Sequence, residues 1–305
     1  MKSNRLKIFI SAVSFLIISC AFSQSNSGLK FAIDTSNAKK SNIQLKKPVQ
    51  INMLKTGIIS CLTIGAGIWL HNYQRNSWWA GQRGQFHIQN DWAYSMSADK
   101  TGHFFDGAFI HKLYSGAFEW AGYGKKTSMW LGTLFSLAYM TDIEIEDGFA
   151  HDWGFSPGDE LCNTLGAFYP VLQNAYEPLQ EFNFKWSYFP SEELRNGTKH
   201  GAFLDDYNGQ TMWLSIGIHY FLPKAAKKYW PDFLNIAIGY GVKNYTDYST
   251  RYQNVYIAFD YDFRKMLPGK SKFMMWLKDV INHFRILPAP GIRINKHGTE
   301  YIINF

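Results

Sequence analysis

Five residues carry most of the side chains with which this sequence could do chemistry: Asp99, Lys100, His103, Asp159 and Asn163. The first three lie in DKTGHFFDGAFIHKLYSG, where Asp99 and His103 are four apart and Asp106 stands three further on. In a helix those spacings share one face. The other two lie in EDGFAHDWGFSPGDELCNTLGA, again four apart. A carboxylate beside an imidazole orients it as a general base, and Asp, Glu and His together hold divalent cations. In that arrangement His103 is the base or a ligand, Asp99 or Asp159 orients it, and Lys100 holds an anionic group. A hydrogen-bonded network that fixes helix register would use the same residues, because buried polar groups need partners whatever their purpose. The spacing matches no specific metal or nucleophile motif, and it names no cofactor. Gly-x-Ser-x-Gly, His-Glu-x-x-His, the phosphate-binding loop and the dinucleotide fingerprint are all missing from the sequence. Two functions therefore stand side by side: a structural or accessory component, and a hydrolase acting on a lipid or cell-wall component.

Helices must position these residues. Met53 to Leu70 is an apolar stretch with only Lys55 charged. Its length is at the lower limit for crossing a bilayer and equally suits a buried core helix. A second helix is expected over Ser97 to Trp120 and a third from Thr127 to about Ile145, closed by the acidic stretch Asp142, Glu144, Glu146, Asp147. A fourth opens at Ser156-Pro157-Gly158-Asp159, with a serine cap and proline in the first turn, and runs to Tyr169, where Pro170 interrupts it. If helices two and four pack together, Gly102 and Gly166 would let the backbones approach and the polar residues meet.

From Phe182 onward the apolar period changes from helical to two. Phe182, Phe184, Trp186 and Tyr188 alternate with polar residues, and the same pattern recurs at 212–220, 236–242, 255–263, 292–294 and 301–305. These are expected antiparallel strands with one aromatic, apolar face and one small or polar face. A terminal Phe305 after Tyr301 and Ile303 is similar to the last strand of outer-membrane barrels. Six good strands are fewer than the eight with which bacterial spanning barrels begin. An amphipathic helix is expected at 270–287.

The N-terminus, MKSNRLKIFISAVSFLIISCAFSQ, has the basic start, short apolar core and small-residue exit of a secretory signal. Cleavage after Ser23 leaves Gln24 first, whereas Ile17-Ile18-Ser19-Cys20 resembles a lipobox that would acylate Cys20. Removing residues 1–23 takes three basic residues and lowers the net charge from +7 to +4. No nucleic-acid footprint is visible at that charge. Aromatic residues make up 17% of the chain, a content suited to membrane interfaces. The expected partners are membrane lipid or outer-membrane components, and the expected place is the periplasm or outer membrane. Cys61 and Cys162 lie among apolar residues and are expected to be buried free thiols.

DKTGHF followed by GFSPGDELCNTLGA resembles the YfiM-like family of predicted periplasmic or outer-membrane lipoproteins, over about residues 76–170. The short signals Asp-Lys-x-x-His and Asp-x-x-x-Asn-x-x-Gly are also similar to those of VanZ-like membrane proteins. The resemblance implies an envelope location and puts Asp99, Lys100, His103, Asp159 and Asn163 at characteristic positions, without a known substrate. The strand-rich half exceeds the short family members. The expected architecture is α+β: a signal over 1–23, a linker over 24–50, a bundle of about four helices over 51–181, and a packed antiparallel sheet or partial barrel over 182–305, the whole membrane-associated.

Overall fold

The computed structural model describes residues 50–81, 83–198 and 203–304. The signal, most of the linker and Phe305 lie outside the described residues. The fold is α+β. Four long helices come first: α1 Met53–Asn76, α2 Ala98–Trp120, α3 Lys125–Phe149 and α4 Pro157–Ala175. Six strands follow as one antiparallel meander in sequence order: β1 Phe182–Tyr188, β2 Gln210–Ile216, β3 Leu234–Lys243, β4 Tyr252–Tyr261, β5 Ala289–Asn295 and β6 Gly298–Asn304. The amphipathic helix α5, Lys272–Asn282, lies between β4 and β5.

Helix α4 does not stop before Pro170 but carries it in its buried interior. A proline there loses its bond to the carbonyl four residues back, that of Gly166. Packing outweighs that loss, because Gly166 is where α4 presses on α2. A Cβ at Gly166 would come within 2.1 Å of the Phe104 carbonyl oxygen. On α2 the matching glycine is Gly107, whose added Cβ would meet the Asn163 carbonyl at 2.7 Å. Gly102, expected to share that role, instead faces only the end of Met212 at 3.7 Å, an ordinary contact.

Helix α1 is tied at both ends and mostly exposed between them, apart from Ile59, which is buried with Phe118, Leu131 and Phe135. Lys55 donates to the Trp120 carbonyl at the end of α2, and Gln74 donates to Tyr139 of α3. It is long and apolar enough to cross a membrane, and only 11% of its most apolar window is buried. It is therefore not a core helix. Cys61 on it is exposed and Cys162 on α4 is half-buried; both are free, so neither is the buried thiol expected.

The sheet has an inverted polarity. The face lined by Lys185, Ser215, Asn235, Asn254 and Asp260 is buried, while Ile238, Val255, Ile257, Phe259 and Ile294 on the other face are exposed. Lys185 on β1 reaches Asp260 on β4 at 2.7 Å. Three strand spacings in a flat sheet span roughly 14 Å, so the sheet must curl strongly to let them meet. Ser215 donates to the same aspartate at 2.6 Å, and Asn235 donates to Ser215. Trp213 fills the middle of this interior over Gly239, with the Arg285 guanidinium 3.9 Å from its ring centre. The free edge of β1 is covered by the segment after α5, through Trp186 N–H to the His283 carbonyl and Arg285 N–H to the Trp186 carbonyl. The sheet remains open rather than closing on itself. Its apolar outer face meets the helices at β1, where the Phe184 ring lies 4.5 Å from that of Phe104 and 5.2 Å from that of Tyr169.

Gly166→Ala is expected to destabilise the fold by about 2–3 kcal/mol, because rigid backbone rather than a flexible side chain occupies the needed space. Gly102→Ala should be close to neutral or slightly stabilising. Urea unfolding of both variants measures this, and equal midpoints would contradict the α2–α4 packing.

Candidate functional site

Helix α2 begins with a strained turn. Ser95, Met96 and Ser97 all have positive φ, at 45°, 56° and 67°. Non-glycine residues adopt this left-handed conformation at a cost, so the surroundings must hold it. Tyr240 of β3 donates to the Met96 carbonyl, and Ser97 Oγ donates to the Trp92 carbonyl at 3.0 Å. The turn delivers Asp99 and Lys100 into the first turn of α2, where both are buried. The chain start of α4 is fixed by Ser156, whose Oγ accepts from Asp159 N–H at 3.1 Å. Ser156 N–H in turn donates to Glu144 of α3.

The five expected residues come together. Lys100 Nζ lies 2.7 Å from Asp159, 2.8 Å from Asp91 and 3.0 Å from Asp99. His103 Nδ1 lies 2.9 Å from Asn163 Oδ1 and 3.5 Å from Glu144. Its Nε2 is 3.7 Å from Asp99 and 3.6 Å from Asp159. Tyr207, from the loop before β2, donates to Asp99 and ties the sheet half to the cluster. Asp106, although on the same helix face, makes no ion pair within 4 Å among the described residues. Asp205 and Asp206 stand apart: Asp205 accepts from Tyr73, and Asp206 from Tyr188 and the Ser191 N–H.

The electrostatics fix the protonation states. Burial works against charge on His103, but Asp99, Asp159 and Glu144 outweigh it and push the imidazole up to about 9. Burial likewise opposes the Lys100 charge, and Asp99, Asp159 and Asp91 hold its ammonium above the ordinary lysine range. Asp99 stays below the usual carboxylate range despite burial, because His103, Lys100 and Tyr207 favour its charge. Asp159 and Glu144 go the other way. Burial raises both, Glu144 to about 8, with His103 only partly offsetting it. At neutral pH the cluster thus holds an ammonium and an imidazolium among four carboxyl groups.

An imidazolium has no lone pair with which to take a proton, so His103 in this state is a proton donor and not a general base. Asp99, His103 and Asp159 offer ligand atoms within 4.8 Å of one another, the spacing of a divalent-cation site. A metal there would require the neutral ring and would share Asp159 Oδ1 with Lys100. A bound ion would compete with the Lys100 ammonium for Asp159 Oδ1. His103 and Asp91 each keep 17% of the side chain exposed, while Glu144 has 1%.

Glu144, Asp91, Ser156 and Tyr207 belong to the cluster and were not marked by spacing. Glu144 had a signal: Ser128, Gly132, Ser136, Met140 and Glu144 form a buried stripe at four-residue intervals on α3. Asp91 and Tyr207 arrive from loops and carry no periodic mark.

Residues 88–175 match a family model described as predicted periplasmic lipoprotein (DUF2279). The match spans α2, α3 and α4 with the loop that supplies Asp91, and it supports an exported, periplasmic setting without an assigned activity. It carries neither the narrower YfiM-like name nor a likeness to VanZ-like proteins. No curated protein and no solved structure matches the chain.

The folded pKa of His103 lies above the unfolded value near 6.5, so its contribution to stability is complete below that pH and is lost as pH rises through about 9. His103→Gln should therefore cost on the order of 2–3 kcal/mol at pH 6 and much less at pH 9.5. Denaturant titrations of both proteins at the two pH values measure the difference, and equal costs would contradict a charged ring.

Proposed function

We propose that the chain is an outer-membrane-associated envelope protein with a structural or accessory role, its helical half braced by the Lys100–His103 cluster. The inverted sheet carries the membrane part of this reading. A water-facing sheet buries its apolar face and exposes the polar one, whereas a lipid-facing sheet does the reverse. Here Ile238, Val255, Ile257 and Phe259 face outward while Lys185, Asn235 and Asp260 face inward. The exposed side of α1, with Leu54, Ile58, Leu62 and Trp69, adds a second apolar surface with the same need for cover. Contact with lipid removes both surfaces from water without a protein partner. The periplasmic family match over 88–175 and the YfiM-like motif pair fit an envelope setting of this kind.

The accessory role rests on the state of the cluster. Lys100 occupies the centre of three carboxylates, and Asp159, Glu144 and Asn163 are sealed from solvent. A hydrolase using His103 as its general base would need a neutral ring beside an open cleft. The cluster offers an imidazolium locked between three helices.

Wild-type protein is expected in the membrane pellet, released by detergent and not by osmotic shock or high salt. Replacing Ile238, Ile257 and Phe259 together by serine should shift at least half of it to the soluble fraction while its circular dichroism is retained. Full release of the wild type by osmotic shock would overturn the membrane reading. In cells, His103→Gln should lower envelope integrity only in proportion to the loss of folded protein. Loss of integrity at an unchanged folded level would favour the envelope hydrolase instead.

A further inference from the structure

The end of the bundle away from the cluster contains a cavity of about 500 Å³ between α2, α4 and α5. Lys112 is twelve residues beyond Lys100 on α2, about 18 Å along the helix axis, so the two sites are separate. Four cationic side chains line the cavity, Lys112, Lys125, Arg264 and Lys272, against two carboxylates, Glu119 and Asp279. Arg264 is committed to Asp262 at 2.7 Å, and Lys272 donates to the Glu119 carbonyl. The Lys112 and Lys125 ammonium groups make no hydrogen bond, and no ion pair within 4 Å, among the described residues.

Lys112 is the unusual one. Burial pushes its ammonium below the ordinary lysine range, and the repulsion of Arg264 and Lys125 offsets the attraction of Asp279 and Glu119. Lys112 is half-buried, and a cation so placed without a close counter-ion is costly, a cost that an anion in the cavity would lower. The apolar part of the wall fits an amphiphile. Trp276 and Met129 line the cavity, and Met275 both lines it and is 57% exposed at its rim. Beside it on α5, Phe273 is 43% exposed. The volume lies within the range of small-molecule sites.

We propose that this cavity binds a phosphoryl group, carried by an anionic lipid headgroup or present as free phosphate, with Lys112 as the central cation. Lys125 closes on the group from the start of α3, and lysine suits this task as a mobile point charge. Asp279 and Glu119 limit the affinity and favour a phosphoryl group of low net charge, such as a phosphodiester. The site does not depend on the membrane reading, because the phosphate arm of its test uses no lipid.

The test is calorimetric titration of the detergent-solubilised full chain with inorganic phosphate, with dihexanoyl phosphatidylglycerol and with dihexanoyl phosphatidylcholine. The phosphatidylglycerol, the phosphate or both should bind at least tenfold more tightly than the zwitterionic lipid. Tighter binding of the phosphatidylglycerol identifies a lipid headgroup, and tighter binding of phosphate identifies the free ion. Lys112→Met, which keeps the stem and removes the charge, should weaken binding at least tenfold. Lys125→Gln should weaken it several-fold, Asp279→Asn should strengthen it, and Lys126→Met, whose side chain does not line the cavity, should leave it unchanged. If Lys112→Met fails to fold, Lys125→Gln and Asp279→Asn decide with their opposite signs. Absence of binding by all three probes would overturn the proposal. So would equal binding by the Lys125, Asp279 and Lys126 variants.

Discussion

The structure depends most on one ammonium group. Lys100 Nζ lies within 3.0 Å of three carboxylates drawn from a loop, from α2 and from α4. Four acidic groups packed this closely would repel one another strongly in a poorly solvated interior. Lys100 and the His103 imidazolium lower that repulsion, and the remaining excess is relieved by the raised pKa of Asp159 and Glu144. Removing either cation leaves uncompensated buried charge, which is more costly than never having built the site. The cluster draws its charges from α2, α3, α4 and the loop before α2, so its geometry couples the alignment of the three helices.

Other features fall into place around that constraint. The close approach of α2 and α4 at Gly107 and Gly166 puts short side chains such as Asn163 within reach of His103. The left-handed turn at Ser95–Ser97 aims Asp99 and Lys100 inward, and Tyr240 of the sheet holds that turn. Tyr207 then joins Asp99 to the strand half. Helix register and sheet position are coupled through these two tyrosines. A second buried pair, Lys185 with Asp260, does for the curled sheet what Lys100 does for the helices.

Much of this was legible from spacing. The i, i+4 pairs Asp99/His103 and Asp159/Asn163 placed the site on facing helices, and the change of period at Phe182 marked the start of the strands. What escaped was set by long-range packing. Period-two alternation shows that a strand has two faces but not which face is buried, and here the polar one is. Pro170 stops a helix by local rules, yet α4 continues because its neighbour α2 holds it. The sequence points to Gly102 as the contact point on α2, and the crossing point of the helices selects Gly107 instead. Asp91 and Tyr207 come from loops, whose paths no periodicity encodes.

The charge state of His103 is the most direct test of a braced, non-basic cluster. Nitrogen NMR of the full chain labelled at histidine ring nitrogens, followed from pH 6 to pH 10, reports both ring positions, with His103→Gln assigning the signal. Both nitrogens of His103 should remain protonated at pH 7.5, with a midpoint near pH 9. A neutral ring at pH 7.5, titrating at or below about 6.5, would contradict the brace.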